Sequence, residues 1–402
     1  MALPPDLAAW LRLTLIPGIG AETQRKLLSA FGLPEAIFSA SASALRGAVG
    51  DAATTKILAS SETVDAAVAT ALAWASEAGN SLFTLADADY PKALLDAADP
   101  PVLLYCKGRR ELLNRPMLAI VGSRNATAQG ERDASAFAKS LGEAGLTIVS
   151  GLALGIDAAA HRGSLETAAS TVAIIGTGAD RLYPARNAAL ARTIAERGAV
   201  LSEFPLGTAA LASNFPRRNR LIAGLGKGTL VIEAAPNSGS LITARLAADA
   251  GREVFAVPGS IHSPMARGCH QLIRQGAKLV ETAEDILEEL RWNRPLPNAR
   301  AGTKLPVGAD ETNAKAETTA LQGGRAQDAL CAVADDDTPL REESQDPSQL
   351  QVLAALGQSP TNLETIAARS GLTPAGLLAI LLPMELNGQV AQLPGGLYQR
   401  LN

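Results

Sequence analysis

Three turns rich in glycine and hydroxyl side chains each follow a short apolar run. Met117–Val121 leads into Gly122-Ser123-Arg124. Leu146–Val149 leads into Ser150-Gly151, with Gly155-Ile156-Asp157 shortly after. Thr229–Ile232 leads into Glu233-Ala234-Ala235-Pro236-Asn237-Ser238-Gly239-Ser240. Free backbone N–H groups at a helix start bind anions, and glycine lets the anion come close. Hydroxyls add donors, and Arg124 adds a bidentate one. The chemistry these residues can do is anion binding, above all of phosphate.

A fourth segment, Asn214-Phe215-Pro216-Arg217-Arg218-Asn219-Arg220, reinforces that reading. No acidic residue lies between Phe204 and Ile232, whereas Arg217, Arg218, Arg220 and Lys227 are all cationic. In a chain of net charge -4 this is a local reversal of sign. Arg and Asn contact phosphates, stack on bases and read base edges. Phe215 is either a stacking platform or a core residue. At least one of the arginines is expected to be structural, paired with Glu203 or Glu233.

Several chemistries are excluded. There is no GxxxxGK[ST] loop, and Gly226-Lys227-Gly228 has neither the spacing nor the hydroxyl. Gly176-Thr177-Gly178 is followed by Arg181 where a dinucleotide fingerprint needs its third glycine. No GxSxG occurs. Cys106, Cys269 and Cys331 form no CxxC pair, and His161, His262 and His270 no HExxH. Neither a metal nor a cofactor is therefore expected. Asp157 and His161, four apart, read as a structural pair.

The elements that must hold these turns alternate in period. Val102–Tyr105, Met117–Val121, Leu146–Val149, Thr171–Ile175, Ala199–Leu201, Thr229–Ile232 and Glu253–Val257 are short apolar runs, several of them apolar on both faces. Buried parallel strands have that character. Gly130–Glu143, Ala185–Arg197 and Leu241–Gly251 between them are helical. The expectation over 82–290 is an α/β, Rossmann-like, doubly wound parallel sheet with the three turns on one edge.

Flanking segments differ. Residues 1–75 read as a helical module containing Ile16-Pro17-Gly18-Ile19-Gly20, which resembles a helix-hairpin-helix of SAM-like DNA-binding modules. Residues 291–346, with Asp335-Asp336-Asp337 and Glu342-Glu343, read as a flexible acidic linker. Residues 347–402 read as a winged helix: a helix over Gln349–Leu356, a helix-turn-helix over Asn362–Leu386, and a wing of Gln389–Gln392 against Leu397–Arg400. Its second helix carries no Lys or Arg, which favours protein contact over duplex reading.

The chain's 402 residues suggest two or three domains at roughly 150 residues each. Apolar residues make up 47%, ample for a core, which at 3% aromatics must be largely aliphatic. The acidic balance excludes coating of duplex DNA by bulk charge. The N-terminal stretch has no basic region ahead of an apolar one, and Leu377–Leu382 is too short to span a bilayer. A reduced, cytoplasmic protein without membrane attachment is the expectation.

Gly122-Ser123-Arg124, SGLALGIDAAAH (150–161), GTGADRLYPARN (176–187), NFPRRNRLIAG (214–224), SGSLITA (238–244) and AVPG (256–259) together closely resemble the DNA-processing protein A (Smf) family. The resemblance extends over nearly the whole chain. It implies an extended Rossmann-like core that binds single-stranded DNA, self-associates into a homodimer, loads RecA recombinase, notably on DNA taken up in natural transformation, and performs no catalysis. Carried over by motif, the DNA-contacting positions are Arg124 in its turn, the Arg217–Arg220 segment and the Gly239-Ser240 loop. With the residues marked above as anion- or base-binding, the candidate set is Gly122, Ser123, Arg124, Gly151, Phe215, Arg217, Arg218, Asn219, Arg220, Ser238, Gly239 and Ser240. His270 departs from the asparagine usual at its place.

Two other readings compete. Gly224–Glu233 superficially resembles the PGGxGTxxE motif of Rossmann-like nucleotide hydrolases, but its glutamate falls one residue late and the leading Pro-Gly-Gly is missing. A winged-helix transcription regulator would need the cations that the second helix lacks.

Overall fold

The computed structural model describes residues 6–59, 61–97, 99–292, 347–356, 360–386, 389–393 and 396–400. The linker expected at 291–346 thus lies almost wholly outside the described residues.

Five helices come first: α1 (Leu7–Leu15), α2 (Ala21–Phe31), α3 (Pro34–Ser39), α4 (Ala42–Leu58) and α5 (Glu62–Ser76). The α1–α2 turn passes through Gly18 at φ 73°, a conformation that glycine adopts without steric cost. Lys56 of α4 donates to the Gly18 carbonyl at 3.3 Å. The outer faces of α1 and α5 carry Trp10 and Trp74 onto Leu103 and Tyr105 of the sheet edge.

The central sheet follows. Its elements are β1 (Asn80–Thr84), α6 (Lys92–Leu95), β2 (Leu103–Gly108), β3 (Met117–Gly122), α7 (Ala128–Glu143), β4 (Thr147–Ser150), α8 (Ile156–Leu165), β5 (Thr171–Ile174), α9 (Ala188–Arg197), β6 (Ala199–Ser202), α10 (Asn214–Leu225), β7 (Gly228–Ile232), α11 (Gly239–Asp249), β8 (Glu253–Ala256), α12 (Arg267–Arg274), β9 (Lys278–Leu279) and α13 (Ala283–Glu289). Strand order is β1-β2-β6-β5-β4-β3-β7-β8-β9. Strands β3 to β9 pair in parallel, as expected of a doubly wound fold. The Val102–Tyr105 run departs from that pattern. It lies in β2, which pairs antiparallel with both β1 and β6, so the sheet is mixed at this edge. An antiparallel edge on a parallel sheet is a common variant of this architecture.

Period-2 alternation with both faces buried accounts for the core. Leu118 and Ile120 of β3 face Phe137 and Leu141 of α7 and Ile156 of α8. Ala119 and Val121 of the same strand face Leu221 and Leu225 of α10 and Ala244 of α11. Strand β3 therefore separates two helical layers.

The C-terminal elements are α14 (Pro347–Leu356), β10 (Thr361–Asn362), α15 (Leu363–Ser370), α16 (Pro374–Leu386), β11 (Val390–Leu393) and β12 (Leu397–Arg400). Gly371 closes α15 in the left-handed conformation, which permits the sharp turn into α16. β12 pairs antiparallel with β10 and β11 as a three-stranded wing. This is a winged helix around Val352, Ile366, Leu377 and Tyr398. Among the described residues, no helix is long and apolar enough to cross a membrane.

Candidate functional site

Strand order reverses between β3 and β7, since crossovers run outward from β3 on one side and from β7 on the other. A crevice opens at such a switch point, above the carboxyl ends of the strands. Here it is a cavity of about 1000 Å³ whose walls include Gly122, Ser123, Arg124, Asn219, Ser238 and Gly239. Two of the three expected turns, after β3 and β7, form its mouth.

Each turn is locally determined. The β3 turn needs Gly122, because a Cβ there would collide with the Ile232 carbonyl and Ile156. Ser123 is buried, and its N–H donates to the Glu233 carbonyl at 2.7 Å, tying the β3 turn to β7. Its own carbonyl accepts the N–H of Ile156 at 3.1 Å, the first residue of α8. Arg124 is exposed and enters no ion pair found among the described residues. Its guanidinium lies 5.5 Å from the centre of the Phe215 ring. Across the crevice, Ser238 caps α11 by accepting from Ser240 N–H at 3.3 Å, and the two hydroxyls are 2.7 Å apart. Gly239 at the start of α11 has open space where a Cβ would be. Ser238, Gly239 and Ser240 thus set the N-terminus of α11, the positive end of its dipole, into the cavity wall.

The second expected turn has a different task. Ala153 and Asp157 beyond it line the cavity, as Arg218 does, whereas Gly151 does not, and a Cβ added to Gly151 would collide with the Arg218 guanidinium. Arg218 is buried and donates through Nη1 to the carbonyls of Gly151 and Ile174. Burial draws its guanidinium down to about 10, although the nearby Asp157 charge opposes this. Asp157 is itself buried and accepts from the N–H groups of Gly151 at 3.1 Å and Ala153 at 3.3 Å. Burial pushes its carboxyl upward, against the charge of Arg218. Arg218 therefore braces the β4 turn and has Asp157 as counter-charge, whereas Arg124 has none among the described residues.

The remaining arginines of α10 diverge because helical residues project about 100° apart. Arg217 is exposed and lies over the Phe204 ring at 5.3 Å. Arg220 bridges Asp99 at 3.2 Å and the buried carboxylate of Glu203. It is the structural arginine foreseen, with Glu203 and not Glu233 as its partner. Asn219 points along the groove, its Nδ2 donating to the Gly239 carbonyl at 3.4 Å. Phe215 is half-buried, seated against Gly176, where a Cβ would lie 3.1 Å from its Cδ1.

The sequence did not single out Tyr183. It is exposed, its ring centre is 5.7 Å from that of Phe215, and the two planes are tilted by 40°. Its place inside the GTGADRLYPARN motif was the available signal.

No catalytic set assembles from these groups. His161 is fully buried and its Nδ1 lies 2.7 Å from Thr171 Oγ1. Thr171 spends its proton on the Ile148 carbonyl at 2.7 Å, so Nδ1–H is the donor to Thr171. Burial pushes the imidazole down to about 3, so it stays neutral. Glu233, the carboxylate of the hydrolase-like stretch, bonds Thr127 instead of lining the cavity. Among the described residues, no cluster of three His, Cys, Asp or Glu gathers for a metal. The site offers donors, the guanidinium groups of Arg124 and Arg217, which enter no ion pair among the described residues, and aromatic surface, which suit an extended anion.

Comparison with known proteins agrees with this chemistry. Residues 81–291 match the family described as DNA recombination-mediator protein A, and residues 336–396 match the DprA winged helix domain. Protein Smf of Escherichia coli K12 is 39% identical over 336 residues, which span 83% of this chain and 81% of that protein. DNA processing protein DprA of Streptococcus pneumoniae R6 is 47% identical over 210 residues, spanning 52% of this chain and 74% of that one. The X-ray structure of DNA processing protein A from Streptococcus pneumoniae superposes with a TM-score of 0.62 at 36% identity, covering 72% of this chain and 99% of that one. With its core matched over more than half its length and its winged helix matched separately, the chain belongs to the DNA recombination-mediator protein A family, whose members are mediators and not enzymes.

Proposed function

We propose that this protein binds single-stranded DNA across the carboxyl edge of its sheet and acts as a mediator that loads RecA recombinase onto that strand, as in natural transformation. The observation that carries the reading is Arg124, a cation in no ion pair among the described residues, at the mouth of a cavity walled by the N-terminus of α11. Phosphates sit against Arg124, Arg217 and the Ser238-Gly239-Ser240 turn. Arg218 and Arg220 serve the site by bracing α10 against the β4 turn and Glu203. A homodimer of cores would present two such grooves to one strand, keeping it extended for the recombinase.

The test is fluorescence anisotropy of a labelled oligonucleotide, single-stranded against duplex, at two salt concentrations. The expected result is preference for the single strand, with affinity falling steeply as salt rises because neutralised phosphates release counterions. Arg124→Ala weakens binding and lowers the salt slope by about 1, while its circular dichroism matches the wild type. Equal affinity for duplex, or wild-type binding by Arg124→Ala, overturns the assignment. RecA loading is read separately, as faster filament assembly on oligonucleotide precoated with single-strand-binding protein.

A further inference from the structure

We propose that Tyr183 is a second base-stacking residue, carried on the loop after β5, and that it takes a nucleobase of the strand whose phosphates Arg124 holds. This rests on the single-stranded DNA reading above and extends it to a residue outside the expected contact set.

Tyr183 is 48% exposed and its neighbour Leu182 46%, so the two present a contiguous apolar surface to water. Its ring stands beside Phe215 at a 40° tilt, so the two aromatics do not cover each other. Arg124 lies over the same Phe215 ring, so the phosphate-binding cation and the aromatic pair are contiguous. Arg181 and Arg186, exposed on either side of Tyr183, enter no ion pair found among the described residues. Aromatics interleaved with unpaired cations suit single-stranded nucleic acid, whose bases stack while its phosphates are neutralised.

The loop is held in place before any ligand arrives. Thr177 Oγ1 donates to the Arg181 carbonyl at 3.2 Å. Asp180 accepts the Gly207 N–H at 2.9 Å. The buried Asn187 side chain donates to the carbonyls of Leu152 and Ala153, both at 3.0 Å. The Gly176-Thr177-Gly178 turn, which fails as a dinucleotide fingerprint, thereby acquires a role. Gly176 leaves room for Phe215, and a Cβ on Gly178 would lie 2.7 Å from the Pro205 carbonyl. A rigid aromatic platform loses little conformational entropy when a base stacks on it.

The experiment compares an oligothymidylate with an oligonucleotide of equal length and charge whose central sites are abasic. Full-length wild type, Tyr183→Ala, Tyr183→Phe and Arg124→Ala are titrated against both. The expected result is about a ten-fold loss of oligothymidylate affinity in Tyr183→Ala, the size of one lost base stack. Its affinity for the abasic strand stays at the wild-type value, and Tyr183→Phe binds both strands like wild type. Wild-type binding by Tyr183→Ala, alongside weakening in Arg124→Ala, overturns the platform and leaves the DNA reading intact. Equal loss on both strands also overturns it, since the phenol would then act without a base. Loss of self-association with unchanged DNA affinity would assign the surface to a second copy and overturn it too. Failure of the wild type to bind either strand removes the underlying reading as well.

Discussion

The carboxylate of Glu233, at the end of β7, accepts both the backbone N–H of Thr127, at 2.8 Å, and its hydroxyl. Thr127 in turn caps α7 by accepting from Gly130 N–H at 3.0 Å. One side chain thus clamps the two halves of the sheet across the switch point, 106 residues apart in sequence. Glu233 holds a φ of 52° to do so, a conformation that costs a non-glycine residue on the order of 1 kcal/mol. Glu233→Gln places an amide against two donors and is expected to lower stability by about 1–3 kcal/mol. Urea unfolding measures this, and an unchanged midpoint would deny Glu233 the role of clamp.

Arg220 and Glu203 form a largely buried pair on the other side of α10. Removing one partner strands the other charge, so Arg220→Met should destabilise by about 3–5 kcal/mol. Glu203→Gln in the same chain is expected to recover much of that loss. If Arg220→Met keeps its melting temperature and loses DNA binding, Arg220 is a contact residue after all.

The glycines of the site separate into two kinds. Gly122→Ala and Gly151→Ala meet the Ile232 carbonyl and the Arg218 guanidinium, so both should unfold at lower temperature than wild type. Gly239→Ala meets nothing within 4 Å and should melt like wild type. Because it narrows the approach to the α11 N-terminus, it should weaken oligonucleotide binding. Differential scanning fluorimetry and anisotropy on the three variants decide the matter.

His161 gives the fold a dependence on pH. Its folded-state value of about 3 lies below the unfolded value of 6.5, so the unfolded chain binds the extra proton between those limits. Stability from this group is present above pH 6.5 and falls with acidification, by roughly 1.4 kcal/mol per unit. Asp157, raised by burial, works in the opposite direction in part of that window. The Asp157 contribution cancels when wild type is compared with His161→Gln. The stability difference between the two should therefore shrink steadily from pH 6.5 to 4.5, and a constant difference would contradict the neutral, buried imidazole.

Much of this molecule was legible in the residues alone. Strands β3, β4, β5, β6, β7 and β8 announced themselves as short apolar runs, several of them apolar on both faces, because a strand between two helical layers has no polar face. The turns after β3 and β7 were visible because close approach of an anion or of backbone demands glycine at particular positions, and that demand is local. The same holds for the wing and for Gly371.

What the tertiary structure decided is which neighbours those residues meet. Arg217, Arg218 and Arg220 look alike in sequence. They separate because α10 turns one outward, one onto the Gly151 and Ile174 carbonyls and one onto Glu203. β2 reads like its neighbours but runs antiparallel to both β1 and β6, because strand direction follows the path of the chain and leaves no mark on the local pattern. Tyr183 stayed hidden because a lone tyrosine in a polar loop carries no periodic signal. Its meaning comes from Phe215 and Arg124, brought beside it by a sheet that joins the ends of β3, β5 and the start of α10. Local pattern sets period and turn, since these depend on neighbours in the chain. Charge compensation and stacking depend on neighbours in space, and only folding supplies those.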